Sequence, residues 1–339
     1  MNPLKVDSYD YELPNSLIAS YPADPKDSCR LLIYDRKNDK IIHERFYNIL
    51  NYIPRDCVIV LNDTKVIKAR IFGKKQTGGK IELLLNSPLD NDRFLVYIRG
   101  KVKEGIELFF DDDLIAKVCA IHSDGTREVK FYKEGKVLDF CSLDKILSKI
   151  GHIPLPPYIK REDTMEDERD YQSIFAKNIG AVAAPTASLH FSDHLFKKLE
   201  DNHKICYLTL HVGAGTFKPV EVSNILEHKM HSEFYDINKD TKKLLDSDKK
   251  ILAIGTTVTR TIEYYVRNKK SVGNADIFIH PKNPPMRVNH LLTNFHLPKS
   301  TLLMLVSAFI GIEKTLELYK IAIDKEYKFF SYGDAMLIL

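Results

Sequence analysis

The chain has 339 residues, 44% hydrophobic and 28% charged, a balance that can bury a large core and excludes a disordered or low-complexity polymer. Fifty Lys and Arg against 46 Asp and Glu leave a formal charge of +4, which suits a polyanionic partner without requiring one. Cys29, Cys57, Cys119, Cys141 and Cys206 lie far apart with no C-x-x-C pair, so neither a zinc site nor a disulfide framework is indicated.

The N-terminus is charged and lacks an apolar signal core, and the longest apolar run, 302–310, is too short to span a bilayer. Together with the cysteine pattern, this sets the expectation of a cytoplasmic protein without membrane attachment.

Residues 57–61 are apolar and rich in Val and Ile, and run into the turn formers Asn62, Asp63 and Thr64, which predicts a buried strand entering a loop. From 71 onward the pattern becomes a series of short strands at 80–86, 94–99, 106–110, 114–122 and 127–132, separated by the Gly and Asp/Asn clusters at 77–79, 90–92 and 111–113. Five strands with no helix between them predict a small β-barrel.

An amphipathic helix is expected over 137–149, and the prolines of 152–158 hold the next segment extended. Beyond it, strands at 205–212, 251–254 and 275–280 alternate with helices at 193–199, 241–245, 258–266, 302–310 and 314–325. The fold class is therefore α/β. Residues 1–70 and 151–339 form one discontinuous α/β domain, and 71–150 form an inserted small β-barrel domain.

Five segments concentrate chemistry. In 180–191 small residues permit close approach, and His190 stands just before a helix start at Ser192, as an active group or as a packed interior histidine. Next, 209–217 carries His211 from a strand end into Gly213, Gly215 and Thr216, either a loop that offers amide donors to a ligand or an ordinary turn, and without the third glycine of a dinucleotide fingerprint. Residues 228–233 set His231 beside Glu233, which suits acid and base groups better than a metal, because no spaced third ligand or H-E-x-x-H motif accompanies them.

The fourth segment, 255–263, places Thr256, Thr257 and Arg260 at a strand-to-helix junction, either as free amides and a positive dipole end offered to an anion or as a capped helix whose Arg260 and Glu263 pair on its surface. In the fifth, Asn294, His296 and Lys299 exceed what capping a helix at Ser300 or Thr301 requires, and Asp334 follows near the end.

Taken in order, these segments resemble the S-adenosylmethionine:tRNA ribosyltransferase-isomerase family of queuosine biosynthesis along essentially the whole chain. The likeness runs from Asp10-Tyr11-Glu12-Leu13-Pro14 and Ser28-Cys29-Arg30-Leu31-Leu32 through Leu61-Asn62-Asp63-Thr64-Lys65 and Thr77-Gly78-Gly79-Lys80. It continues through Tyr171-Gln172 and the five segments to Gly333-Asp334-Ala335-Met336. Ser188, Val258-Thr259, Lys282-Asn283 and Lys328 depart from the family pattern, beside the polar groups rather than on them.

The resemblance implies a monomer acting on tRNA whose wobble guanine has been replaced by 7-aminomethyl-7-deazaguanine. S-adenosylmethionine is the co-substrate, with no metal or further cofactor. The ribosyl group would be transferred and rearranged to an epoxycyclopentanediol, giving epoxyqueuosine and releasing adenine and methionine. A sulfonium acidifies its neighbouring carbons, so the reaction calls for a base and an acid. His190, His211, His231 and His296 are the candidates, with Glu233 and Asp334 tuning them or neutralising the substrate amine.

Arg30, Asn62, Asp63, Thr64, Gly213, Gly215, Thr216, Thr256, Thr257, Arg260, Asn294 and Lys299 are the expected substrate-binding set, with Arg260 and Arg30 assigned to a carboxylate or phosphate. An RNA methyltransferase using the same donor and a non-catalytic RNA-binding module are the alternatives. The first should show a glycine-rich Rossmann-like entrance, and the second aromatic platforms and basic grooves in place of clustered His, Asp and Glu.

Overall fold

In the computed structural model, residues 1–217 and 220–339 are described. A nine-stranded mixed sheet is built around four parallel strands, Ile205–Leu210, Val58–Asn62, Ile251–Ile254 and His290–Asn294, side by side in that order. These strands are almost wholly buried, which explains their continuous apolar runs: a parallel strand covered on both faces has no polar side to show.

Ala335–Ile338 runs antiparallel to His290–Asn294 and parallel to Arg30–Asp35, and the hairpin partner Lys40–Arg45 forms that edge. Glu233–Asp236 and Val272–Ala275 complete the other edge as antiparallel strands.

Strand order fixes where a ligand can bind. All four parallel strands end on the same side, and the order reverses around Val58–Asn62, the place in an open α/β sheet where loops diverge and leave a crevice. The loops beginning at Asp63, His211, Gly255 and Phe295 all leave from that side.

Residues 70–133 form a closed antiparallel barrel of six strands, sealed by pairing between Ile115–Ile121 and Thr126–Lys133. Sequence reasoning expected five. The sixth, Arg70–Lys75, contains Gly73, which weakens the strand signal, yet a Cβ there would collide with Phe109 and Phe110, so close packing demands the glycine. The helix Phe140–Ile150, capped by Asp139, buries Leu143, Ile146 and Leu147 in the barrel core.

A second difference concerns the strand expected at 275–280. Pairing stops at Ala275, and only an isolated bridge between His280 and Asn283 follows. Ile277 and Ile279 alternate because they plug the main core, not because they lie in a ladder.

Candidate active site

The crevice at the strand ends holds a cleft of about 770 Å³ including its mouth. Its floor and walls come from four loops. Ala183, Ala184 and Pro185 give a wall of minimal side chains, Gly255, Thr256 and Thr257 the start of a helix, residues 293–297 the end of a strand, and Phe330 and Ser331 the turn before the last strand.

Thr256–Asn268 has thirteen residues and begins at Gly255, whose φ of +99° brings the chain into the cleft in a conformation that side chains disfavour. No side chain caps this helix, so its first amides and the positive end of its dipole are left to the cleft.

Two histidines lie at the base. His296 is held by Thr293 Oγ1 at 3.2 Å on Nε2 and by the Tyr319 hydroxyl at 3.2 Å on Nδ1. That hydroxyl also accepts the His296 backbone N–H at 3.1 Å, so Thr293 and Tyr319 hold the ring at both nitrogens. Burial pushes the His296 pKa down to about 3.

His190 lies beneath the lining, with Asn294 Nδ2 at 3.0 Å from Nε2 and Cys29 Sγ at 3.3 Å from Nδ1. Asn294 also donates to the Phe330 carbonyl at 3.1 Å, which fixes its amide orientation, and accepts from Thr186 Oγ1 at 2.9 Å. Burial lowers the His190 pKa to about 4, so both rings are neutral at pH 7.

A smaller cavity adjoins the cleft and shares Thr216 and Leu302 with it. It contains His231, Glu233 and Arg260. Glu233 accepts from Gly213 N at 3.0 Å and Thr216 Oγ1 at 3.2 Å on one oxygen, and from Arg260 at 2.7 Å on the other. Arg260 is only 5% exposed, and its Nε and second amino group have no hydrogen-bond partner. Such donors are costly to leave unmet, which marks the arginine as ready for an anion. His231 packs flat over Gly215, where a Cβ would strike its ring.

Other expected residues are engaged elsewhere. His211 bonds Thr64 Oγ1 at 2.8 Å and stacks on Phe234, and Gly180 leaves it room. Asn62 clamps the Leu210 backbone from both sides, and Asp63 holds Thr209 and Asn178. Asp334 receives the Arg30 and Lys328 amides, the Arg30 guanidinium lies over the Tyr327 ring, and Lys299 pairs with Asp7 and Asp10. None of these seven lines the cleft.

Sequence reasoning missed Thr186, Thr293, Tyr319 and Phe330. Thr186 and Thr293 flank motif residues and were within reach of it, but Tyr319 arrives from the helix Ile312–Asp324 with no local signal. Among the described residues no three His, Cys, Asp or Glu side chains converge as metal ligands, and no helix is long and apolar enough to cross a membrane.

The family model described as "Queuosine biosynthesis protein" matches residues 6–338. This chain belongs to that family. A relative from Aliarcobacter butzleri, named S-adenosylmethionine:tRNA ribosyltransferase-isomerase, is 60% identical over 339 residues, covering 100% of both chains. Relatives of the same name from Campylobacter jejuni subsp. jejuni and Nitratiruptor are each 61% identical, covering 99% and 100% of both chains.

The crystal structure of an S-adenosylmethionine tRNA ribosyltransferase from Thermotoga maritima has 34% sequence identity and a TM-score of 0.55, covering 98% of this chain and all of that one. Family membership makes the chain an enzyme of the transferase class.

Proposed function

We propose that the chain transfers and isomerises the ribosyl group of S-adenosylmethionine onto the 7-aminomethyl-7-deazaguanine at the wobble position of tRNA, forming epoxyqueuosine with release of adenine and methionine. It acts as a cytoplasmic monomer, with residues 1–70 and 151–339 as the catalytic α/β unit and 71–150 as an insertion.

The observation that carries this reading is the pair of adjoining chambers. The cleft, walled by alanines, proline and Phe330, suits the uncharged nucleoside, and the smaller cavity, with the unmatched donors of Arg260, suits a carboxylate. A zwitterionic sulfonium nucleoside has both parts, separated by the sulfur. Its amino-acid carboxylate would lie on Arg260, and the sugar at the junction by Thr216.

In this arrangement His231 is placed to take the proton from the ribose carbon bonded to sulfur. The electron pair forms a C–C double bond as the ring C–O bond breaks, and the freed oxygen becomes an aldehyde as adenine leaves and takes up a proton. The deprotonated substrate amine adds to the resulting vinyl sulfonium to form the C–N bond. The sulfur-stabilised carbanion so generated closes the carbocycle on the aldehyde carbon, and the new alkoxide displaces methionine, which departs with the C–S bonding pair and leaves the epoxide. His296, neutral and held at both ring nitrogens by Thr293 and Tyr319, forms a fixed wall beside the sugar, and the uncapped helix amides stabilise developing negative charge.

The test is product analysis by mass spectrometry after incubation with S-adenosylmethionine and tRNA carrying the modified base. Adenine and methionine in equal amounts, with epoxyqueuosine in the RNA, are expected. S-adenosylhomocysteine would overturn the reading in favour of methyl transfer.

A further inference from the structure

The two rims of the barrel carry opposite charge. Strand directions alternate around the closed sheet, so the connections 76–79, 100–106 and 122–125 share one rim, and 89–93, 111–114 and 134–135 share the other. Within 74–80, 99–107 and 121–127, seven Lys and Arg face three Asp and Glu, a net +4 that equals the excess of the entire chain. Within 88–94, 110–115 and 132–137, three cations face six carboxylates, a net −3. Strand pairing sets Lys74 against Lys80, and Lys75 reaches the Lys101 carbonyl, so the hairpin and the 100–106 connection form one surface.

Lys74, Lys80, Arg99, Lys101 and Lys103 are exposed there. Arg99 pairs with Glu82, which is already held by Arg70, while Glu104 is tied to the Ile121 amide. The cationic surface is thus only partly neutralised from within. Its position also matters. Asn86, on the strand Lys80–Pro88, accepts the Ala214 amide of the glycine loop beside the cleft, and Lys80 lies at the far end of that strand. At about 3.3 Å per residue the separation is roughly 20 Å. A folded RNA presenting one extruded base to the cleft has backbone phosphates to place at that range.

We propose that this rim of the barrel is the docking surface for the sugar–phosphate backbone of the RNA substrate, bound by charge rather than by base sequence. The inference rests on the proposed action on tRNA, and commits to an RNA backbone as the occupant. The acidic rim repels the same backbone, so the barrel orients the RNA as well as holding it.

The test compares two triple variants of the full chain. K74E/K101E/K103E reverses the rim, and K37E/K242E/K249E makes the same change in net charge at exposed lysines outside the barrel. Affinity for tRNA is measured by filter binding across a salt series, with circular dichroism to confirm folding.

The rim variant should bind at least about tenfold more weakly, its log–log salt slope shallower by about 0.7 to 0.9 for each phosphate no longer neutralised. Adenine release at saturating tRNA should stay within about threefold of the parent, and the control triple should bind like the parent. Equal weakening of both triples, or of neither, overturns the proposal. A parent that binds tRNA but releases no adenine would instead sink the proposed reaction and leave the rim standing on its binding data.

Discussion

Arg260 and Glu233 meet at 2.7 Å in a buried ion pair that uses one nitrogen of the guanidinium and leaves Nε and the other amino group without a partner. Glu233 also accepts from Gly213 and Thr216 on its other oxygen, so the pair is fixed in place, and both of its residues line the small cavity. A charge-assisted hydrogen bond with an incoming carboxylate would be worth about 1.5–3 kcal/mol.

Replacing Arg260 by lysine keeps the charge beside Glu233 but removes the fork. KM for S-adenosylmethionine should rise about tenfold or more, while the decarboxylated analogue, already lacking the partner, should be used equally by both proteins. Steady-state kinetics with the two donors check this, and an unchanged preference for the carboxylated donor in the variant would refute it. Arg260→Ala is a poorer probe, because it strands a buried carboxylate at a cost of about 3–5 kcal/mol.

The neutral histidines make a pH prediction about stability. The folded-state pKa of His190 is about 4 and that of His296 about 3, both below the ordinary value of 6.5. The unfolded chain therefore binds more protons between these limits, and the stability conferred by the two buried neutral rings is present above pH 6.5 and lost as pH falls through the folded values. Tm should decline steadily from pH 7 to pH 4.5. The His190→Asn variant, less stable at pH 7, should show a shallower decline; equal slopes would remove His190 as a cause.

Asn294 is the hub beneath the cleft, joining Thr186, His190 and the Phe330 carbonyl. Asn294→Ala leaves several buried groups unmatched, at about 1–3 kcal/mol each. Urea denaturation should show a loss of roughly 2–4 kcal/mol, and single-turnover adenine release should fall with it. The donor on His190 Nε2 also requires the proton to sit on Nδ1 in the parent, which nitrogen chemical shifts can read.

Gly215 gives His231 its place. Gly215→Ala would push the ring from its seat without touching the sheet. Adenine release should drop by about 100-fold or more, the scale of one general base, with Tm little changed. Full activity in that variant would mean that the seat of His231 is irrelevant to the chemistry.

The parallel core was legible because buried strands write themselves as unbroken Val, Ile and Leu runs, as in 58–61 and 251–254. The strand-end motifs were legible for a related reason: Thr256, Asn294 and Thr216 sit where strands stop, and so converge once the strands are parallel. Arg30, Asp334 and Lys299 show the limit of that logic. They follow the same motif pattern, yet Asp334 is spent on backbone amides and Lys299 on two surface carboxylates, which only the three-dimensional course of the chain reveals. The Arg70–Lys75 strand escaped because packing on Phe110 needs a glycine in mid-strand.

The most direct measurement uses S-adenosylmethionine labelled separately in the ribose and in the methyl group, with tRNA bearing the aminomethyl base. The ribose label should appear in the RNA and the methyl label in free methionine, with adenine released in step. Methyl label entering the RNA, or ribose label remaining with the adenine, would contradict it.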